Sequence, residues 1–132
     1  MSTNSAIAVK TFDGYKTIYC HWDGYPSYMY PMLRDWYGTE ERANALVDLG
    51  DASSINKRLV PSKDSGHSFG HPEEDVCVFY HRDRGESYAD SKPALMTKEV
   101  VLSLQYYVYI FEDGYWHVYL NGEEADDYSK FE

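Results

Sequence analysis

Apolar and polar residues alternate over residues 5–10 and again over 16–21, on either side of Phe12-Asp13-Gly14. An Asp-Gly pair between alternating runs predicts a β-hairpin, with Ile7, Val9, Ile18 and Cys20 on one face and Tyr19 and His21 on the other. The arrangement recurs near the other end, where residues 105–111 and 115–120 flank Glu112-Asp113-Gly114. There Val108, Ile110, Trp116, Val118 and Leu120 are expected to face the core. Tyr107, Tyr109, Phe111, Tyr115, His117 and Tyr119 would then lie opposite.

The pattern between the hairpins changes to a helical period. Residues 31–37 and 40–49 read as helices, the second with Thr39 as N-cap, Glu40 and Glu41 in its first turn, Gly50 as its stop, and Ala43, Leu46, Val47 and Leu49 as its buried stripe. Asp51 or Ser53 is expected to cap a further short turn through Leu59. Residues 60–74 form a long polar loop, the kind that is usually functional or disordered. A strand over 75–80 follows, with Val76 and Val78 on one face, and then a charged turn, His81 to Glu86. Within residues 87–104, Pro93 is read as opening a short helix through Leu104, although the Val-rich end of the segment also suits the start of the next strand.

Five strands, four of them in two hairpins with helices grouped between, predict an α+β class: an antiparallel sheet of about five strands with helices packed on one face. The 132 residues fit one domain, 1–132, with an acidic tail from about residue 121.

Composition alters this picture in two places. The chain holds 14 Tyr, and aromatics make up 17% of it, which favours surfaces that are both apolar and able to hydrogen-bond. The net charge is −10, and from Phe111 to Glu132 seven acids face a single base, Lys130. Such a surface repels a phosphate backbone, so direct nucleic-acid binding is not expected. Acidic tails usually serve solubility; the sharper reading is a face that docks on a basic partner. No apolar stretch reaches membrane-spanning length and no leader-like segment opens the chain, so the expected location is the cytoplasm. Cys20 and Cys77 fall in strand-like runs and read as small buried hydrophobes.

Candidate chemistry is sparse. His21, Asp23, His67, Arg82 and Arg84 lie at strand ends or in the long loop and would make a ligand pocket if they converged. His67 and His71 lack a strong metal-ligand spacing, and Arg82-Asp83-Arg84 reads more simply as an ion-pair network pinning a loop. Cys20 and His21 point to opposite faces of a strand and cannot act as nucleophile and base. No catalytic residue, metal ligand or cofactor is assigned.

Four blocks carry a resemblance: Ile18-Tyr-Cys-His-Trp-Asp-Gly-Tyr-Pro-Ser27, Leu49-Gly-Asp-Ala-Ser-Ser-Ile55, Gly66-His-Ser-Phe69 and Tyr80-His-Arg-Asp-Arg-Gly-Glu86. Together they resemble a family of small accessory proteins encoded in phages and prophages, over Ala6 to about Val118. The chain departs from that pattern in its aromatic Tyr28-Met-Tyr-Pro-Met32 and its acidic tail. The resemblance implies a mobile-element accessory protein without settled enzymatic activity, of the kind that inhibits host defence, anti-CRISPR proteins among them. The expected partner is then a host defence protein with a basic nucleic-acid-binding surface. It would be met by Tyr28, Tyr30, Trp36 and Tyr119 as anchors and by Glu123, Glu124, Asp126 and Asp127 as charges. Two alternatives stand beside it: a nucleotide- or metal-binding pocket, that of a small hydrolase, at the His/Asp/Arg residues, and a homodimer formed through the Tyr-rich face.

Overall fold

In the computed structural model, which describes residues 2–131, strands β1 (Ser5–Thr11) and β2 (Gly14–Cys20) form the expected first hairpin, with Ile7 opposite Ile18 and Ser5 opposite Cys20. Strands β6 (Tyr107–Glu112) and β7 (Tyr115–Leu120) form the second, closed by Asp113 and Gly114. Both turn residues have positive φ, 59° and 89°, as the tightest hairpin connection requires. The hairpins join through their first strands: β1 runs parallel to β6, Ser5 beside Tyr107 and Val9 beside Phe111.

Four shorter strands extend the sheet. β3 (Ala52–Ser54) lies parallel to the end of β2, β4 (Val78–Phe79) pairs with β3, and β5 (Ala94–Met96) pairs antiparallel with the start of β2. β8 (Glu123–Glu124) pairs with β7. The order is β4-β3-β2-β1-β6-β7-β8, with β5 on β2. The class is therefore α+β, but the sheet is mixed and larger than expected, with parallel pairing at its centre.

Helix α1 (Pro26–Trp36) starts five residues before the expected position, because Pro26 fills the first-turn site where a missing N–H costs nothing. Pro31 lies inside it. Met29, Leu33 and Tyr37 recur every four residues and are fully buried. Helix α2 (Glu40–Asp48) keeps its expected start, the Thr39 side chain accepting the Arg42 N–H at 3.1 Å. Both helices cover one face, over Ile7, Val9, Ile18, Tyr109, Phe111, Trp116 and Val118.

The opposite face is also covered, contrary to the one-sided arrangement expected. Helix α5 (Lys98–Leu104), capped by Thr97, buries Val101 against Ala6, Ala8, Val108, Ile110 and Tyr119. Alanines at positions 6 and 8 let this helix sit close to the strand. The two-residue turn at Asp113-Gly114 sets Phe111 opposite Trp116 and Val108 opposite Tyr119. Tyr109 and Phe111 therefore share the α1 side with Trp116 and Val118, while Val108 and Ile110 go to the other, correcting the expected face assignment.

Residues 87–104 divide into α4 (Tyr88–Ser91), β5 and α5, so Pro93 precedes a strand rather than opening a helix. His81 to Arg84 belong to a short helix, α3 (Tyr80–Arg84), ended by Gly85 at φ 84°. The turn expected after Asp51 is instead β3. Cys20 and Cys77 are free and buried. No helix among the described residues is long and apolar enough to cross a membrane.

Candidate functional site

The turn after β2 is built around close backbone approach. Gly24 donates its N–H to the Thr3 carbonyl at 2.8 Å, and its own carbonyl accepts the buried Tyr109 hydroxyl at 2.6 Å. A Cβ at Gly24 would stand 2.7 Å from Ser5, so only glycine fits. His21 Nδ1 lies 2.7 Å from the Tyr19 hydroxyl, and its ring meets Trp22 edge-on at 4.8 Å. Burial pushes the Cys20 thiol up to about 12, far from thiolate reactivity.

The five candidate pocket residues do not form one site. His67 and Arg82 meet at Asp83. His67 Nδ1 accepts the Glu73 N–H at 2.9 Å, which leaves Nε2 to face Asp83 Oδ2 at 3.3 Å, near but poorly aligned. Arg82 donates to both oxygens of Asp83, at 2.9 and 3.0 Å, and also to the carbonyls of Cys77 and Leu59. Burial works to raise the Asp83 carboxyl, but Arg82, the Phe79 N–H and His67 outweigh it and hold the group below its usual range. Arg84 instead lies over Phe69 and Tyr80 and pairs with Glu86 at 3.4 Å. Neither arginine pairs with Asp23, and His21 bonds within its own turn. The cluster pins the long loop to α3. Among the described residues, no three His, Cys, Asp or Glu side chains are grouped so as to hold a metal ion.

The acidic end is folded backbone. Asn121 and Gly122, at φ 52° and 84°, turn β7 into β8, a third hairpin where the sequence suggests only an acidic tail. A 3₁₀ turn follows (Tyr128–Phe131), anchored by Phe131, which is buried in the core. Tyr128 accepts the Val118 N–H at 2.8 Å and donates to Glu124 at 3.0 Å. His117 lies 2.9 Å from the same carboxylate and holds it below its usual range, with Tyr128 assisting against burial. Glu124 is thus engaged internally. Glu123, Asp126 and Asp127 are exposed, and Asp127 bonds Ser129.

The proposed anchors separate as well. Trp36 is exposed, with Lys57 over its ring, and Tyr30 is half-buried, edge-on to Tyr128 at 5.1 Å beside the acids. Tyr28 is also half-buried, but its hydroxyl donates to the Ile55 carbonyl at 2.7 Å. Tyr119 is only 6% exposed and cannot anchor a partner.

The edge of β2 away from β1 carries a feature that no local sequence pattern predicts. β3 and β5 flank β2 on the same side but pair with different ends of it, leaving a gap beside Ile18 and Tyr19. In this gap lies a cavity of about 420 Å³ with mainly apolar walls, among them Ala6, Ile18, Ala89, Pro93 and Met96. Asp51 lines it and closes the gap chemically: its Oδ1 accepts the Tyr19 N–H at 2.9 Å, where a strand would otherwise have supplied a carbonyl. Burial, with Glu86 adding to it, pushes the Asp51 carboxyl up despite that bond.

Comparison with protein-family models, curated proteins and solved structures finds no match to this chain.

Proposed function

We propose that this protein is a non-catalytic accessory factor of a phage or other mobile element. It blocks a host defence component, a CRISPR–Cas effector for example, by occupying that component's basic nucleic-acid-binding surface. The observation that supports this most is the fixed placement of its acids: Glu123 stands on a paired strand, and Asp126 and Asp127 lie between that strand and the 3₁₀ turn anchored by Phe131. Charges held on ordered backbone lose little freedom on docking, and complementary potentials favour both encounter and register. Tyr30 and Tyr128 adjoin them with amphipathic rings suited to a contact surface. Because Glu124 is engaged with His117 and Tyr128, the docking charge is assigned to Glu123, Asp126 and Asp127.

The reading is tested by producing the protein in a defence-carrying host and counting phage plaques. The wild type should restore plating, and the triple variant Glu123→Lys, Asp126→Lys, Asp127→Lys should not, at an unchanged melting temperature. Equal protection by the triple variant would remove the acidic face from the mechanism. If the wild type protects against no defence system, the whole proposal fails.

A further inference from the structure

We infer that the gap between β3 and β5 is a binding site for a small amine: a molecule with an apolar body, one aromatic ring in scale, and a protonated nitrogen that docks on Asp51. The site is separate from the acidic face and does not depend on its role. Four observations converge.

The cavity's volume, about 420 Å³, is within the range of small-molecule sites and toward its small end. Its walls are largely apolar, with a few polar groups, which is the usual division between affinity and orientation. The Asp51 carboxylate uses one oxygen on the Tyr19 N–H, and Oδ2 has no hydrogen-bond partner among the described residues. The charges facing the cavity are the half-buried Asp51 and the exposed Asp90 and Lys92, a net negative set on a chain of net charge −10, which favours a cation over an anion.

The position is built rather than incidental. Gly50 precedes Asp51 at φ 87°, and a Cβ there would collide with the Ser91 carbonyl. Asp51 N–H donates to that carbonyl at 2.7 Å, and the Asp51 carbonyl accepts the Tyr80 N–H at 3.2 Å. These bonds hold the carboxylate at the cavity and fix the α4 segment as its wall. Half-burial opposes the charge of this carboxylate, and Oδ2, open to the cavity, has no partner among the described residues to offset that cost. An ammonium donating to that oxygen would relieve the penalty and gain a charge-assisted bond.

The probes are tryptamine and phenethylamine, with indole-3-ethanol and 2-phenylethanol as neutral partners of the same shape, followed through backbone amide resonances. The amines should produce saturable shifts at Tyr19, Asp51 and Ala94 and bind about tenfold tighter than the alcohols. Asp51→Asn keeps an oxygen for the Tyr19 N–H, so it should fold as the wild type does while losing the preference for amines. Ala89→Phe, at an exposed position on the cavity wall, should block amines and alcohols alike. Three results would overturn the inference: no saturable shift with either amine, equal binding of amine and alcohol, or an amine preference that survives Asp51→Asn. Should Asp51→Asn fail to fold, the amine-to-alcohol ratio and the Ala89→Phe result decide the matter.

Discussion

The two faces of the sheet are covered to different depths. On one, α1 and α2 bring Met29, Leu33, Tyr37, Ala43, Leu46 and Val47 down on both hairpins, all without solvent contact. Tyr37 ties this layer together: its hydroxyl donates to the Asn56 carbonyl at 2.5 Å, and its own carbonyl accepts the Trp116 indole N–H at 2.8 Å. On the other face, α5 contributes Val101 as its single buried residue and leaves Val100 and Leu104 exposed. The cavity beside Asp51 opens on this thinner side. A face sealed by two helices carries most of the buried packing, whereas the lightly roofed one leaves the cavity beside Asp51 and contributes less to holding the fold.

Truncation on each face provides the sharpest contrast. Leu33→Ala should lower the unfolding free energy by about 3 kcal/mol, since the emptied volume is surrounded by rigid packing. Val101→Ala should cost about 1 kcal/mol, because fewer methyl groups are lost and a short helix can settle. Urea denaturation of both variants measures the difference, and equal losses would mean that the faces are mechanically alike.

A smaller effect tests what fastens the thin face. Glu112 accepts the Tyr15 hydroxyl at 2.9 Å and Lys98, in the first turn of α5, at 3.1 Å, with Lys10 at 3.7 Å. Burial acts to raise this carboxyl, but Lys98, Tyr15 and Lys10 together hold it below its usual value. Glu112→Gln should therefore cost about 1 kcal/mol at neutral pH. A depressed folded-state value means that the stabilisation is complete above the unfolded carboxylate range, about 4.3, and is lost as pH falls through the lower folded value. The gap between wild type and variant should close on acidification. A gap that is constant with pH would show that the glutamate acts through shape, not charge.

What the sequence made legible follows the range of the interactions. The two Asp-Gly hairpins and the Thr39 cap depend on residues a few positions apart, and all three are in place. The same local signal stands at Asn121-Gly122, but the acids around it suggest a tail. The start of α1 is ambiguous in sequence because two prolines compete for its first turn, and the burial of Met29 settles it only once the sheet beneath is known. The split of residues 87–104 and the second covered face are tertiary results: Ala94 to Met96 are mostly exposed and form a strand because β2 offers them an edge. The convergence of His67 with Arg82 through Asp83, and the gap that Asp51 fills, depend on partners far along the chain.

The parallel union of β1 with β6 also imposes an order on assembly. Each hairpin can close from neighbouring residues within microseconds, yet the ladder that joins them links Ser5 to Tyr107, roughly a hundred residues apart. Docking of the second hairpin is therefore the slow, entropically expensive event. During synthesis β1 has one bare edge, flanked by Ala6, Ile7, Ala8 and Val9, until β6 has left the ribosome. The strand that ends at the centre of the sheet spends the longest time exposed, and it is the segment from which misassembly would begin.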